Sequence, residues 1–195
     1  MNAGRKIAIV LGGYGFIGSA CLRGLKQAGF QTIGVGRSLA LGFKCDPEIE
    51  WIETDIANTS ADEWSRHLKR ADVVVNASGA LQDGLRDNLK GIHVDAMENL
   101  VGALTGTGVR VVQISAAGAS EDASTDFMRS KARGDNLLKA SGVDCVILRP
   151  VLVIGPQAYG GTALLRATAA LPLVRPRLFA ASVIQTVSVL DVAQA

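Results

Sequence analysis

The chain has 195 residues, of which 48% are apolar and 19% charged, with a formal net charge of +2. That length and apolar content fit one domain with a sizeable core and exclude a disordered chain. The near-neutral charge excludes the strong basic field that a nucleic-acid partner requires.

Residues 6–11, KIAIVL, form the short apolar run of a strand buried on both faces. Residues 16–28 place Ile17, Cys21, Leu25 and Ala28 at helical spacing, and Gly29 is a good stop. Residues 30–36 and 50–54 predict a second and a third strand. Residues 60–70 predict a helix opened by Ser60, with Glu63 three residues on, the pattern of a capping box. A fourth strand follows over 72–78. Residues 85–105 read as a helix with Leu89, Ile92, Ala96, Leu100 and Leu104 near one face. Residues 109–115 predict a fifth strand, 125–141 a helix ending near Gly142, and 144–150 a sixth strand that Pro150 terminates. The tail is less regular, with a helix around 161–171, then Pro172 and Pro176, then a strand-like run over 182–189.

Strands that alternate with helices pair in parallel, and right-handed crossovers place the helices on both faces of an open sheet. The predicted fold is therefore α/β, a doubly wound, Rossmann-like parallel sheet. Residues 1–155 form its dinucleotide-binding domain, and residues 156–195 a small, partial substrate lobe packed on that domain.

The first strand runs into GGYGFIG. Gly12 lets the chain turn, Gly15 lets backbone N–H groups approach a pyrophosphate, and Gly18 lets the helix pack closely on the strand. Phe16 and Ile17 open the helix whose N-terminus faces the phosphates. An acid after the second strand would bond both ribose hydroxyls of NAD; this chain has Arg37 and Ser38 there. A guanidinium suits a 2′-phosphate, so the expected cofactor is NADP(H), with NAD(H) the alternative.

The loop GGYGFIG, TDI at 54–56, NASG at 76–79, SK at 130–131 and LRPVLVIGP at 148–156 together resemble the short-chain dehydrogenase/reductase superfamily. The likeness is to its extended and atypical, epimerase/dehydratase-like branches, and it covers nearly the whole chain. It implies that Asp55 and Ile56 meet the adenine, and that Asn76, Ala77 and Ser78 line the adenine-ribose side. It also implies that Pro150 and Val153 lie beside the nicotinamide and that Lys131 holds the ribose. The superfamily places a proton-donating tyrosine four residues before the lysine; this chain has Phe127, which has no proton to give. The serine that polarises a substrate carbonyl falls near Ser115, beside Ala116 and Ala117. His93 stands where the family often has an asparagine, and it also reads as a helix residue with a satisfied ring. Tyr159, in AYGG, is a phenol that could enter from another direction.

Two functions remain open on the sequence. One is an NADP(H)-dependent reductase of a small carbonyl compound, with Lys131 and Ser115 as the catalytic candidates. The other is a non-catalytic, dinucleotide-binding or redox-sensing module of a larger protein. The runs TDFMRSKARGDNLL and AYGGTALLRATAALPLV are similar to bacterial NAD(P)-binding proteins in which such a domain can precede a small membrane domain. The ending LDVAQA resembles the start of a helix cut off after one turn, which predicts a domain of a longer chain. A membrane would then be reached only through that further region, and a homodimer through helices 85–105 and 125–141. Cys21, Cys45 and Cys145 lack CxxC spacing, which points to a reducing, cytoplasmic setting rather than a disulfide frame. His67 and His93 have no neighbouring ligands at metal-binding spacing, so no metal is expected.

Overall fold

The computed structural model describes residues 4–84, 88–157, 161–172 and 183–195. Tyr159 and Pro176 lie outside them, as do residues 85–87 of the helix predicted over 85–105 and residue 182 of the late strand.

Six strands form one parallel sheet: β1 (Ile7–Leu11), β2 (Gln31–Gly36), β3 (Glu50–Glu53), β4 (Val73–Asn76), β5 (Arg110–Ile114) and β6 (Cys145–Leu148). Their order is β3-β2-β1-β4-β5-β6. The chain builds outward from β1 to β3, then returns to lay β4 on the other side of β1, with Leu11 opposite Asn76. The helices that follow β1 and β4 therefore pack on opposite faces of the sheet, and that point of reversal is where open α/β sheets form a crevice.

Helices cover both faces. One face of the sheet packs Ile9, Leu11, Ile33, Val35, Val74 and Val111 against α3 (Ala61–His67), α4 (Ala96–Leu104) and α5 (Asp126–Ala140). Trp64 of α3 is fully buried there, beside Met97, Leu100 and Leu138. The other face sets Val10, Val75 and Ile114 against Cys21 and Leu22 of α1 (Phe16–Gln27) and Val192 of α7 (Val189–Gln194). The capping box forms as predicted: Ser60 accepts the Glu63 N–H, and the Glu63 carboxylate accepts the Ser60 N–H at 2.9 Å.

Three features depart from the sequence reading. First, α2 (Leu39–Cys45) occupies the connection between β2 and β3. Its N-terminus is held by the Ser38 hydroxyl and by Glu53, which accepts the Leu39 N–H at 3.1 Å. Only Gly42 is buried, while Leu39, Leu41 and Phe43 are exposed, so the segment carries no amphipathic pattern to read. Second, the helix predicted over 85–105 is not regular: Gly91–Asp95 is a π-helical turn that leads into α4. The turn brings the His93 carbonyl against Gly134 of α5, where any Cβ would collide with it. Third, the chain's last helix is formed. Ser188 caps α7, Val189 and Val192 are buried, and the missing Cβ of Gly24 lets the Ala193 backbone sit on α1. Packing supplies what a turn-and-a-half of isolated helix lacks.

The tail otherwise contributes α6 (Gly161–Ala169) and a second, two-stranded parallel sheet, β7 (Leu152–Ile154) with β8 (Thr186–Ser188). The late strand is thus much shorter than residues 182–189. Among the described residues no helix is long and apolar enough to cross a membrane.

Candidate functional site

A cleft of about 540 Å³ opens at the carboxyl ends of β1, β2, β4 and β5. Its floor is the glycine loop. Gly12 has a φ of +71°, and a Cβ there would stand 3.0 Å from the Ala77 carbonyl oxygen and the Ser78 Cα. The loops after β1 and β4 are therefore pressed together. The Gly12 carbonyl accepts the Gly15 N–H at 2.9 Å, and any Cβ on Gly18 would lie deep inside that same oxygen. This close approach brings the start of α1 down onto the loop. Gly15 caps α1 with no side-chain hydrogen bond, and the first turn holds no acid. Its leading N–H groups and the positive end of its dipole thus face the cleft, as an anion requires. Gly12, Gly15, Phe16 and Ile17 line the cleft; Gly18 lies beneath it. The arrangement fits a pyrophosphate, since each Cβ that would fill the cradle is missing.

At the end of β2, Gly36 and Arg37 line the cleft together with Tyr14. The Tyr14 ring lies where a Cβ on Gly36 would be, and its hydroxyl accepts the Arg37 N–H at 2.9 Å. Across the cleft, Asp55 and Ile56 form a wall after β3. The Asp55 carboxylate already accepts the Asn58 side-chain amide at 2.6 Å. Ala77 and Ser78 line the cleft after β4, but Asn76 turns inward. It is buried, donates to Gln113 Oε1 at 2.9 Å and accepts the Ser78 N–H at 3.2 Å. Its place is to brace the loop rather than to line the cleft.

The far end of the cleft belongs to α5. Phe127, Lys131 and Asp135 recur at four-residue spacing and so share one face. Phe127 and Lys131 line the cleft together with Ser115, Leu152 and Val153; Pro150 stands behind, accepting the Ala117 N–H. Lys131 is buried, and its Nζ donates to the Ile114 carbonyl at 2.9 Å and the Ser78 carbonyl at 3.5 Å. Burial lowers its pKa from 10.5 to about 8, and the Asp135 charge opposes that fall. Asp135 is fully buried. Its Oδ2 accepts the Ser115 hydroxyl at 2.8 Å and two guanidinium N–H groups of Arg149 at 2.9 and 3.2 Å. Its Oδ1 has no partner among the described residues. Ser115 is thus at the cleft, but its proton is committed inward.

His93 is buried and its ring is satisfied. Nε2 accepts the Ala80 N–H at 3.3 Å, and Nδ1 meets the Ser130 hydroxyl at 2.8 Å. Ser130 donates to the Phe127 carbonyl at 2.9 Å, so it accepts from Nδ1–H, which fixes a neutral ring. Burial, with the Lys131 charge adding to it, pushes the His93 pKa down to about 3. The Phe127 ring meets the imidazole edge-on, with centroids 5.7 Å apart.

Sequence reasoning missed Tyr14, Asp135 and Arg149. A four-residue step from Lys131 along the helix was the available signal for Asp135. No comparable signal marked Arg149, which reaches Asp135 from beyond β6. Among the described residues no group of three side chains is placed to hold a metal ion.

The chain is 25% identical over 153 residues to a ceramide reductase of Caulobacter vibrioides, covering 78% of this chain and 48% of that protein. It is 26% identical over 157 residues to the mitochondrial NADH dehydrogenase [ubiquinone] 1 alpha subcomplex subunit 9 of Dictyostelium discoideum, covering 77% and 43%. The chain thus spans less than half the length of either relative. Its fold is that of the Bordetella bronchiseptica enzyme WbmH, solved in complex with NAD+, with a TM-score of 0.75 at 20% identity over 97% of this chain and 70% of that one. The UDP-glucose 4-epimerase of Thermotoga maritima, solved with UDP-glucose, superposes with a TM-score of 0.77 at 19% identity, over 96% and 71%. The sequence pattern of the NAD dependent epimerase/dehydratase family matches residues 8–172, and the chain belongs to that family.

Proposed function

We propose that this chain binds a nicotinamide dinucleotide across the cleft, NADP(H) in preference to NAD(H), as a module that senses or is stabilised by the nucleotide without turnover. The observation that carries binding is the Gly12 carbonyl, onto which Gly15 and Gly18 draw the uncapped start of α1. In that position the leading amides take the pyrophosphate, Arg37 takes a 2′-phosphate, and Asp55 and Ile56 meet the adenine. Lys131 donates to two carbonyls and has a third proton for a ribose hydroxyl. A bound nicotinamide supplies hydride chemistry; this chain must then supply the proton. Phe127 has none, Ser115 donates to Asp135, and the His93 ring is tied at both nitrogens. The missing phenol at 127 and the inward ties of Ser115 and His93 support a binding role within a larger assembly, as the likeness to a subunit of NADH dehydrogenase also does.

A reductase of a small carbonyl compound is the second reading. It is favoured by Lys131, whose pKa of about 8 makes its ammonium a competent acid at the cleft, and by the likeness to a ceramide reductase. Calorimetric titration with NADPH and NADH tests binding. Nucleotide oxidation is then followed with short and long-chain carbonyl compounds, for the wild type and for Phe127→Tyr. Binding without oxidation, with oxidation gained only in the variant, is the expected result. Oxidation by the wild type establishes the reductase instead, and the absence of any binding heat ends both readings.

A further inference from the structure

Tyr14 occupies the place where a dinucleotide fold reads the adenosine ribose, and it is built into that place from three sides. Its ring fills the space left by the missing Cβ of Gly36. The Trp51 ring packs beside it, with centroids 6.1 Å apart, and Trp51 is itself pinned by its Nε1–H donating to the Asp46 carbonyl at 2.8 Å. The hydroxyl is fixed by the Arg37 N–H, which it accepts at 2.9 Å. No hydrogen bond donated by Tyr14 is present among the described residues. The phenol therefore stands at the carboxyl end of β2 with one amide proton accepted and its own proton unspent.

That polarity is the reverse of the acid expected there in a protein that binds NAD. A carboxylate accepts from the 2′- and 3′-hydroxyls and repels a phosphate. A phenol that has accepted one amide proton still has its own O–H to donate, and the best partner for a donor is an anion rich in acceptor oxygens. We propose that the Tyr14 hydroxyl donates to the 2′-phosphate of the adenosine ribose and is, with the Arg37 side chain, the residue that sets the preference for a 2′-phosphorylated dinucleotide. The proposal rests on the dinucleotide reading above and adds to it the group that reads the ribose. It also explains why Gly36 precedes Arg37: a side chain at 36 would push the ring, and the hydroxyl with it, off the end of the strand.

The test is Tyr14→Phe, which keeps the ring against Gly36 and Trp51 and removes only the hydroxyl. A hydrogen bond to a charged group outweighs one to a neutral group. NADPH binding should therefore weaken about tenfold and NADH binding about twofold, so that the preference falls about fivefold. Retained NADH binding shows that the variant is folded. Equal losses for the two nucleotides, or no loss for NADPH, overturn the proposal while leaving dinucleotide binding intact. A wild type that binds neither nucleotide overturns the underlying reading, and this proposal with it. A second measurement needs no stable Tyr14 variant. The chain has two tyrosines, so fluorotyrosine labelling gives two fluorine resonances, assigned with Tyr159→Phe. The Tyr14 resonance should move further with NADPH than with NADH; equal movement refutes the proposal.

Discussion

Replacing Lys131 with methionine should make the nucleotide-free protein more stable at neutral pH while weakening its hold on the nucleotide. Lys131 is 6% exposed, and burial brings its pKa from 10.5 to about 8. Below the lower value, folded and unfolded chains both carry the proton, and the folded chain bears the full cost of burying it. Between about pH 8 and 10.5 the unfolded chain holds more protons, so stability rises with pH across that window. The drop from 10.5 to about 8 corresponds to about 3 kcal/mol. Methionine removes the ammonium and keeps most of the packing, but the Ile114 and Ser78 carbonyls lose their donor, which costs about 2 kcal/mol. The variant should therefore be about 1 kcal/mol more stable at pH 7 and about 2 kcal/mol less stable near pH 10.5. Urea unfolding at steps across this range measures the crossing. The difference between the two proteins isolates Lys131 from the other groups that titrate there. A difference of constant sign and size at every pH would refute the buried-ammonium account. In the same variant NADPH affinity should fall at least about tenfold, as expected when a charged donor to a ribose hydroxyl is lost.

Gly18→Ala places a Cβ inside the Gly12 carbonyl oxygen and 3.1 Å from the Gly13 Cα. It should cost about 1–3 kcal/mol of stability by forcing α1 off the loop, and should abolish the heat of nucleotide binding; unchanged melting and binding would refute the cradle. His93 should remain neutral down to a pH of about 3, because burial and the Lys131 charge both oppose its protonation. The unfolded chain takes up that proton near 6.5, so the stability His93 lends is complete above 6.5 and is lost as pH falls toward 3. Its ring C–H proton resonance should be flat between about pH 5 and 8, and a midpoint near 6.5 would overturn the assignment.

The sheet was readable because its signals are local. Each central strand is a run of apolar residues between turn residues, and burial on both faces is what produces such a run. The glycine loop was readable for the same reason, since three glycines at fixed offsets between a strand and a helix have few other uses. What escaped depends on contacts across the chain. α2 is held by Glu53 and by an indole packed on Gly42, not by an apolar stripe of its own. The π turn at Gly91–Asp95 answers to Gly134 on another helix. Asn76 is a polar residue at a strand end, the place where a ligand contact is expected, yet Gln113 on the neighbouring strand claims it. Ser115 reads as a catalytic hydroxyl until Asp135 and Arg149 are seen together around it. Side-chain partners separated by many residues leave no spacing to recognise.

Trp51 gives one of these distant dependences a wider meaning. Its ring lies where a Cβ on Gly34 or Gly42 would have to go, and it touches the Cβ position of Gly13 at 3.0 Å. A single bulky indole therefore bars side chains from a strand and a helix at once, and it crowds the loop, where a Cβ on Gly13 would also meet the Gly34 Cα at 3.1 Å. Positions 34, 42 and 51 make one inherited unit: a descendant that shrinks the ring can enlarge the other two, and one that keeps it cannot. Divergent copies of the protein should exchange these three together, and a lone alanine at position 34 or 42 beside an intact indole should be selected against before it reaches the nucleotide.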